Sequence, residues 1–343
     1  MTTVNRFSAI FSLVFAALLV TTNGADARPR SKTKGKSAKR APQTTAYPLL
    51  GNPNSKYRGW DYLASRLRKV GVPESEIIEI FGSPAMPRFT LVPFKVKPKE
   101  PHSIYSSFDR ESFAQLGASF IQEYDHEFNR MERKYGVPRE MVTAILVIET
   151  QIGRHTGNER IVHRLSRLAS VLDPYNVQEN YRRLKATDPT VTLEEVKDRG
   201  RYLEDTFLPE IPALIEISKR NQVNTFHILG SSAGAFGIPQ FLPTAFIKYG
   251  VDGDGDGHVS LFNKVDALWS AGNYLAAFGY RADLPYAERR KVIWEYNRSE
   301  AYIDTVFRLA SRIRNIGAMR CRDTRGADGA AAIKVVRCTE PRQ

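Results

Sequence analysis

The chain has 343 residues and a formal net charge of +13. In a cytoplasmic protein this charge would suggest nucleic-acid binding, but the N-terminal residues predict export, and we therefore predict no nucleic-acid partner. The length could hold two domains, although the residue pattern favours one large helical body with additions at its ends.

The first 27 residues predict a secretory signal peptide. Arg6 precedes an apolar stretch, residues 7–20, that is short for a membrane span. Ala25 and Ala27 then provide the small side chains that signal peptidase recognises. An uncleaved anchor is the alternative. No cysteine lies near the predicted cleavage site and no later segment is long and apolar enough to span a bilayer. We therefore expect an exported, periplasmic monomer without a lipid anchor.

Two tails flank the predicted helical body. Residues 28–47 form a basic arm without an acidic residue, which predicts a disordered segment. This arm binds an anionic envelope polymer or lipid headgroup, or it serves only as a tether. The C-terminal tail, residues 317–343, holds the two cysteines, Cys321 and Cys338. Export would permit a disulfide between them, and two free thiols are the alternative.

The N-terminal part of the mature chain, residues 48–107, predicts a helical and extended segment packed on the core. Helical spacing occurs over residues 57–70 and 73–81, whereas the proline-rich residues 82–101 predict an extended crossing segment. Residues 108–135 predict a single long amphipathic helix. Its large apolar side chains lie on or near one stripe and comprise Phe113, Leu116, Phe120, Tyr124 and Phe128.

Residues 138–153 predict a helix that is buried on most sides, because its centre is almost entirely apolar. Pro138 suits the first helical position. Glu149 lies near the end, and none of its helical neighbours three or four residues away can pair with it ionically. Desolvation by aliphatic neighbours would raise the pKa of this carboxyl group, which suits a general acid. The alternatives are a carboxylate at the solvated end of a core helix and an ion pair with a distant arginine.

The remaining chain is also predominantly helical in pattern. Helical spacing continues over residues 161–172, where Asp173-Pro174 ends it, and a polar stretch follows. A capping box at residues 192–195 opens another helix, and residues 207–217 follow with a helix that two prolines disturb. No internal repeat and no alternating strand pattern occurs, so we predict a mainly α fold.

Three later stretches carry candidate binding residues. Residues 231–243 are rich in small side chains that allow close backbone approach, and Gln240 is a polar amide within an apolar run. Tyr296 and Asn297 combine an aromatic ring with an amide, as carbohydrate sites often do, and Tyr274 is a second candidate ring. Each of these residues taken alone is also explained by packing.

Residues 252–257, DGDGDG, resemble the first half of an EF-hand calcium loop. Three aspartates alternate, Gly257 permits the sharp turn, and the carbonyl of the following His258 can point inward. The twelfth position is Asn263 instead of glutamate, but Asp266 could close a longer loop. We therefore predict a structural calcium site formed by Asp252, Asp254, Asp256, His258 and Asp266. A solvated acidic turn is the alternative.

Four motifs occur in a specific order: IETQIGRHTG, SSAGAFGIPQFLPTAF, YGVDGDGDGHVSLFNKVDALWSAGNYL and YNRSEAY. In this combination the chain resembles the lytic murein transglycosylases of the membrane-bound B type, from about residue 60 to residue 316. The resemblance implies a lysozyme-like (SLT or goose-type) helical core over residues 108–316, with an EF-hand-like loop at residues 252–266. It also implies cleavage of peptidoglycan strands between N-acetylmuramic acid and N-acetylglucosamine, with 1,6-anhydromuramic acid ends.

The resemblance also implies roles for individual residues. Glu149 matches the single catalytic acid/base. The substrate-cleft positions are matched by Ser231, Gln240, Tyr274, Tyr296 and Asn297. An ordinary hydrolase would need a second carboxylate across the bond. A water-using muramidase on the same fold and a non-catalytic, calcium-stabilised peptidoglycan-binding protein are the two alternatives.

The chain departs from the family pattern in three places. The family's double arginine is not clearly present. Arg199 or Arg201 is the candidate replacement, and residues 173–197 before them look like a local insertion. The segment between Tyr280 and Trp294 is short, so a subdomain on the substrate side that some members carry is absent. No cysteine is available for lipidation, so membrane attachment is not carried over from the resemblance.

Overall fold

A computed structural model describes residues 52, 54–98 and 102–326, with no side-chain description for residue 102 or for residues 319–326. The described part is mainly α-helical, as predicted. Its first six helices are α1 (Asp61–Lys69), α2 (Glu74–Phe81), α3 (Glu111–Glu123), α4 (Asp125–Tyr135), α5 (Arg139–Thr150) and α6 (Ile161–Ala169). The later helices are α7 (Pro174–Thr187), α8 (Leu193–Phe207), α9 (Glu210–Arg220), α10 (Pro243–Tyr249), α11 (Lys264–Ala277), α12 (Tyr286–Tyr296) and α13 (Glu300–Gly326).

Short elements complete the described chain. Two 3-10 helices span His102–Asp109 and Thr225–His227. Strands β1 (Glu159–Arg160) and β2 (Leu229–Gly230) pair antiparallel, with Glu159 opposite Gly230. Among the described helices, none combines the length and the apolar character that a membrane span requires. The predicted signal peptide, the basic arm and Cys338 lie outside the described residues, so export and the pairing of Cys321 with Cys338 stay predictions.

The chain divides into two compact units, and the described part of the first comprises residues 102–164 and 213–326. In this unit α5 packs against α3 and α13, which also pack on each other. Gly117 of α3 allows the close approach, because a Cβ atom there would lie 2.5 Å from Cδ1 of Ile313. Every residue of α5 from Met141 to Thr150 is buried, as its continuous apolar pattern predicts.

The described part of the second unit comprises residues 52, 54–98 and 165–212. Its extended segment, which follows α2, is held by side chains of α7 instead of by a neighbouring strand. Asn176 accepts a hydrogen bond from the Val92 amide at 2.7 Å, and Asn180 accepts one from the Phe94 amide at 3.1 Å. Asn180 also donates to the Val92 carbonyl at 3.0 Å. These buried amides satisfy backbone groups that a sheet would otherwise pair.

Four sequence predictions need correction. The long helix over residues 108–135 is two helices, since the backbone leaves helical geometry at Tyr124 (φ −112°, ψ 28°), and its first residues belong to a 3-10 helix. The polar stretch after Asp173 is helix α7, whose N-terminus Asp173 caps through the amides of Tyr175 and Asn176.

The helix over residues 207–217 begins only at Glu210, because α8 continues to Phe207. Pro138 is the N-cap of α5 and not its first helical residue. The capping box of Thr192 and Glu195 is confirmed.

Candidate active site

The C-terminal end of α5 carries Glu149 and turns sharply. Gln151 (φ 51°), Ile152 (φ 58°) and Gly153 (φ 87°) are all left-handed, a conformation that is costly for the β-branched Ile152. The hydroxyl of Thr150 fixes the turn, since it accepts a hydrogen bond from the Gly153 amide at 2.9 Å. The same hydroxyl donates to the Ile238 carbonyl at 2.8 Å. Thr150 thereby connects the end of the helix to the segment that carries Gln240.

Glu149 is only 2% exposed and lies against tyrosines. The hydroxyl of Tyr302, at the start of α13, donates to Oε1 of Glu149 at 2.7 Å. The ring of Tyr302 stacks parallel to that of Tyr296 with 6.5 Å between centroids, and Tyr105 contacts it edge-on at 5.9 Å. The carboxyl group therefore lies in an aromatic environment next to a fixed hydroxyl donor.

Both tyrosine hydroxyls beside Glu149 remain protonated. Burial raises the pKa of Tyr302 well above its ordinary value, and the nearby charge of Glu149 raises it further. The pKa of Tyr296 is raised in the same way, first by burial and then by Glu149. Neither phenol can serve as a base near neutral pH, so both act as neutral groups around the carboxyl.

Ser231 and Gln240 lie on one compact segment between β2 and α10. Isolated bridges pair Phe236 with both Gly230 and Phe241, so the segment folds back on itself. Gln240 is left-handed (φ 52°), and its Nε2 donates to the carbonyls of Thr156 (3.1 Å) and Gly237 (2.8 Å). Its Oε1 is buried and finds no hydrogen-bond partner among the described residues. The hydroxyl of Ser231 donates to the Ala235 carbonyl at 3.3 Å.

Tyr274 and Tyr296 pack on Phe241 of this segment, and Asn297 follows Tyr296 in the chain. The Tyr296 hydroxyl donates to the Pro239 carbonyl at 2.6 Å, which links α12 to the residue before Gln240. The Tyr274 hydroxyl donates to the Glu295 carbonyl at 2.7 Å, and both rings are buried. Asn297 is buried, and its Nδ2 lacks a hydrogen-bond partner in the described part of the chain. The structure thus joins these residues to the Glu149 region, while their contact with substrate stays a prediction.

The acidic loop brings three carboxylates together. Ligand oxygens of Asp252, Asp254 and Asp266 lie within 4.8 Å of one another, which suits a hard cation such as calcium. Asp266 is oriented by the amides of Gly253 (2.9 Å) and Ser260 (2.7 Å), and burial raises its pKa. Hydrogen bonds from backbone amides, the Gly257 amide first, lower the pKa of Asp252.

The other predicted members of the loop make different contacts. Asp256 accepts a hydrogen bond from the His258 amide at 2.8 Å. Asn263, which occupies the twelfth position, donates to Asp254 at 2.7 Å and caps α11 through Val265. Asn263 therefore has the role of a cap, and Asp266 lies where a closing carboxylate is needed. Calcium binding by all five predicted ligands stays a prediction.

Arg199 and Arg201, the candidate replacements for the family's double arginine, differ in burial and in their hydrogen-bond partners. Arg201 pairs with Glu194 (2.6 Å) and Asp198 on the surface of α8. Arg199 is half-buried over the Tyr202 ring, 4.8 Å from its centroid, and burial lowers its pKa. Its Nε and Nη2 have no hydrogen-bond partner among the described residues. Arg199 is therefore the arginine of the two that retains hydrogen-bonding capacity.

Sequence reasoning missed three residues of the Glu149 environment: the adjacent Thr150, the hydrogen-bond donor Tyr302, and Tyr105, which packs on Tyr302. Tyr302 belongs to the YNRSEAY motif, in which the residue pattern indicates only Tyr296 and Asn297. Tyr105 lies in the 3-10 helix, where nothing in the pattern marks it. Thr150 follows Glu149 directly, and a polar residue at the buried end of an apolar helix was the available signal.

The sequence matches a known protein family over most of its length. Residues 56–292, more than half of the chain, match the family described as the transglycosylase SLT domain. The chain belongs to this family. The membrane-bound lytic murein transglycosylase B of Escherichia coli (strain K12) is 32% identical to the SLT-domain chain over 166 residues. That alignment spans 48% of this chain and only 38% of the relative, so the chain matches less than half of the relative's length.

Solved structures share the fold of the SLT-domain chain at low sequence identity. The Escherichia coli lytic transglycosylase Slt35 in complex with bulgecin A is 22% identical, with a TM-score of 0.58 over 82% of this chain and 100% of Slt35. Slt35 in complex with calcium gives a TM-score of 0.57 at 22% identity over the same shares, 82% and 100%. SltB3 from Pseudomonas aeruginosa in complex with NAG-anhNAM-pentapeptide is 19% identical, with a TM-score of 0.56 over 76% of this chain and 80% of SltB3. The predicted lysozyme-like helical fold is thereby confirmed.

Proposed function

We propose that this protein is a lytic transglycosylase of peptidoglycan. It cleaves the β-1,4 bond between N-acetylmuramic acid and N-acetylglucosamine and leaves 1,6-anhydromuramic acid ends. The observation that carries the proposal is Glu149, a buried carboxyl group held by the Tyr302 hydroxyl in a chain of the SLT family. A single carboxyl group that is fixed in place can serve as a general acid and then as a general base.

The reaction needs one carboxyl group used twice. Protonated Glu149 gives its proton to the glycosidic oxygen as the bond to C1 of the muramic residue breaks, and the N-acetylglucosamine side leaves with a free hydroxyl. The resulting carboxylate then takes the proton from the C6 hydroxyl of the same muramic residue while O6 bonds to C1. Atoms and protons balance without water. The hydrogen bond from the Tyr302 hydroxyl to Oε1 keeps the carboxyl group in place.

The unsatisfied amide atoms suit the acetamido group of the substrate. Oε1 of Gln240 is a free acceptor and Nδ2 of Asn297 is a free donor in the described part of the chain. An acetamido group offers the complementary N–H and C=O, and a buried polar atom gains most from a partner that it otherwise lacks. The Tyr296–Pro239 hydrogen bond keeps the two segments together. A sugar without the acetamido group should bind poorly.

Calcium supports the fold in this proposal and takes no part in bond cleavage. Asp252, Asp254 and Asp266 offer the carboxylate oxygens that calcium prefers, and their mutual repulsion is relieved by a cation. The family neighbour Slt35 was solved in complex with calcium. Gly253 of the loop packs closely on Trp269 of α11, since a Cβ there would lie 2.4 Å from the indole. A bound ion would therefore brace α11, which carries Tyr274.

The location that fits this substrate is the periplasm. In this proposal residues 1–27 act as a signal peptide that directs export, and the basic residues 28–47 bind an anionic envelope surface. The murein transglycosylase B relative is named as membrane-bound, but residues 7–27 of this chain contain no cysteine for lipidation. We propose an exported protein that contacts the envelope through charge.

The product of cleavage tests the proposal. Purified sacculi are digested in oxygen-18 water and the muropeptides are examined by mass spectrometry without borohydride reduction. We expect anhydromuramic ends that lack the mass of one water and carry no heavy oxygen. Reducing muramic ends that carry oxygen-18 would establish a water-using muramidase. Absence of any cleavage by folded protein would instead favour a non-catalytic binding protein.

A further inference from the structure

An exposed aromatic side chain lies beside the candidate active site and has no role in the proposed reaction. Phe262 lies in the second half of the EF-hand-like loop, four residues before Asp266, and exposes 49% of its surface, whereas Leu261 before it is buried. Leu261 is fixed, because its carbonyl accepts a hydrogen bond from the Ile238 amide at 2.8 Å. Asn263 after it is fixed as the cap of α11. The backbone on both sides of Phe262 is thus anchored, and little backbone entropy remains to be lost on binding.

Two hydrogen bonds connect the backbone next to Phe262 to α5, the helix that carries Glu149. Ile238, which bonds to Leu261, also accepts the hydrogen bond from Thr150, the neighbour of Glu149. The ring of Phe262 lies 6.5 Å from that of Phe236. Phe236 is 4% exposed and is bridged to Phe241, the residue after Gln240. Phe262 therefore extends the Gln240 segment outward to the surface.

We propose that Phe262 is the aromatic platform of an outer glycan subsite, which binds the apolar face of a pyranose ring beyond the two sugars of the cleaved bond. This inference rests on the proposed function, since its ligand is the glycan strand itself. An anchored, half-exposed phenyl ring that contacts Phe236 of the Gln240 segment offers an apolar surface on which a sugar ring can pack. A sugar over the ring would cover apolar surface that water now contacts, and Leu229, also exposed, precedes Gly230 of the same segment.

The proposal predicts that Phe262 matters for long strands and not for short ones. In Phe262→Ala we expect KM for long uncrosslinked glycan strands to rise by about threefold to tenfold, the effect of losing one aromatic contact. For the shortest strand that is cleaved, kcat and KM should stay unchanged, because that strand does not reach the platform. Phe262→Trp should restore KM on long strands. Tyr286→Ala is the control, as Tyr286 is 51% exposed on α12 in the same unit.

Several outcomes would overturn the subsite. An equal loss on short and long strands, or no change on either, contradicts a length-dependent platform. Loss of the calcium-induced rise in melting temperature in Phe262→Ala would mean that the residue acts through the acidic loop. A concentration-dependent dimer of wild-type protein that Phe262→Ala disperses would assign the ring to a second copy of the chain. If wild-type protein cleaves no strand at all, the proposed function fails; if only the variant comparison fails, the subsite alone is wrong.

Discussion

Replacing Glu149 with glutamine removes the transferable proton and little else. The amide has nearly the same volume, and its Oε1 can still accept the 2.7 Å hydrogen bond from Tyr302. Glu149 is buried within the packed end of α5, so a substitution that kept less of its shape would confound activity with folding. We expect Glu149→Gln to fold normally and to lose activity.

The size of the loss follows from the proposed chemistry. General acid–base catalysis by one positioned group contributes roughly a hundredfold to ten-thousandfold, or about 3–5 kcal/mol of barrier. Here the same carboxyl group serves both proton transfers, which favours the upper end of that range. The stability term is small, because a hydrogen bond with a net worth of about 1 kcal/mol is retained.

The assay is release of soluble muropeptides from purified sacculi, with thermal unfolding measured on the same samples. Tyr302→Phe is the matched variant: it removes the hydroxyl that holds Glu149 but leaves the acid, so it should be impaired less than Glu149→Gln. Release by folded Glu149→Gln within a few-fold of wild type would refute the assignment of Glu149 as the acid.

Four further predictions concern the surroundings of the site and the fold. Thr150→Val should lower kcat about tenfold or more and Thr150→Ser should restore it, measured by muropeptide release, because only a hydroxyl can fix the turn. Calcium at a hundred times its Kd should add about 2.7 kcal/mol of stability in thermal melts, and Asp266→Asn should abolish the gain. Asn180→Ala should cost about 2–4 kcal/mol in urea unfolding, since it orphans the Phe94 amide and the Val92 carbonyl. In urea unfolding, alkaline solution should destabilise wild type more than Tyr302→Phe, because the pKa of Tyr302 is raised in the folded state.

Helix α5 could be predicted from sequence because a helix that is buried on all sides is apolar along its whole length. From Met141 to Ile148 the chain is apolar apart from Thr143, and each of these residues is buried. The break between α3 and α4 could not be predicted in the same way. No proline or glycine marks Tyr124, and the apolar stripe continues across it, so the local pattern is that of one helix.

Helix α7 was missed for the opposite reason. Its buried face presents Asn176 and Asn180, whose amides bind the extended segment about 85 residues earlier, at separations of 84 and 86 residues. Apolar periodicity cannot reveal a helix whose inner face is polar, because the signal depends on hydrophobic spacing. The N-terminal signal was present, however, since Asp173 before Pro174 is a cap followed by the favoured first residue.

In the candidate site, contacts between residues that are close in sequence could be predicted, whereas contacts between residues far apart in sequence could not. The composition of the acidic loop predicted a carboxylate cluster, and the structure brings Asp266 to Asp252 and Asp254. The Glu149 environment depends on Tyr302, which lies 153 residues away in the chain. Only the fold brings that hydroxyl to Oε1, and no spacing rule within a single helix could have selected it.

The burial of the tyrosines around Glu149 can be tested without substrate, through the dependence of protein stability on pH. In the folded protein the pKa of Tyr302 is raised well above its ordinary value, whereas in the unfolded chain this phenol ionises near pH 10. Above that pH the unfolded state binds fewer protons, so the stability present at pH 9 is lost as the pH rises. At pH 11 the loss is on the order of 1 kcal/mol for each such tyrosine. Urea unfolding at pH 9 and pH 11 should show a loss in Tyr302→Phe that is smaller by this amount. Equal losses in both proteins would mean that Tyr302 ionises in the folded state and that Glu149 is not enclosed as described.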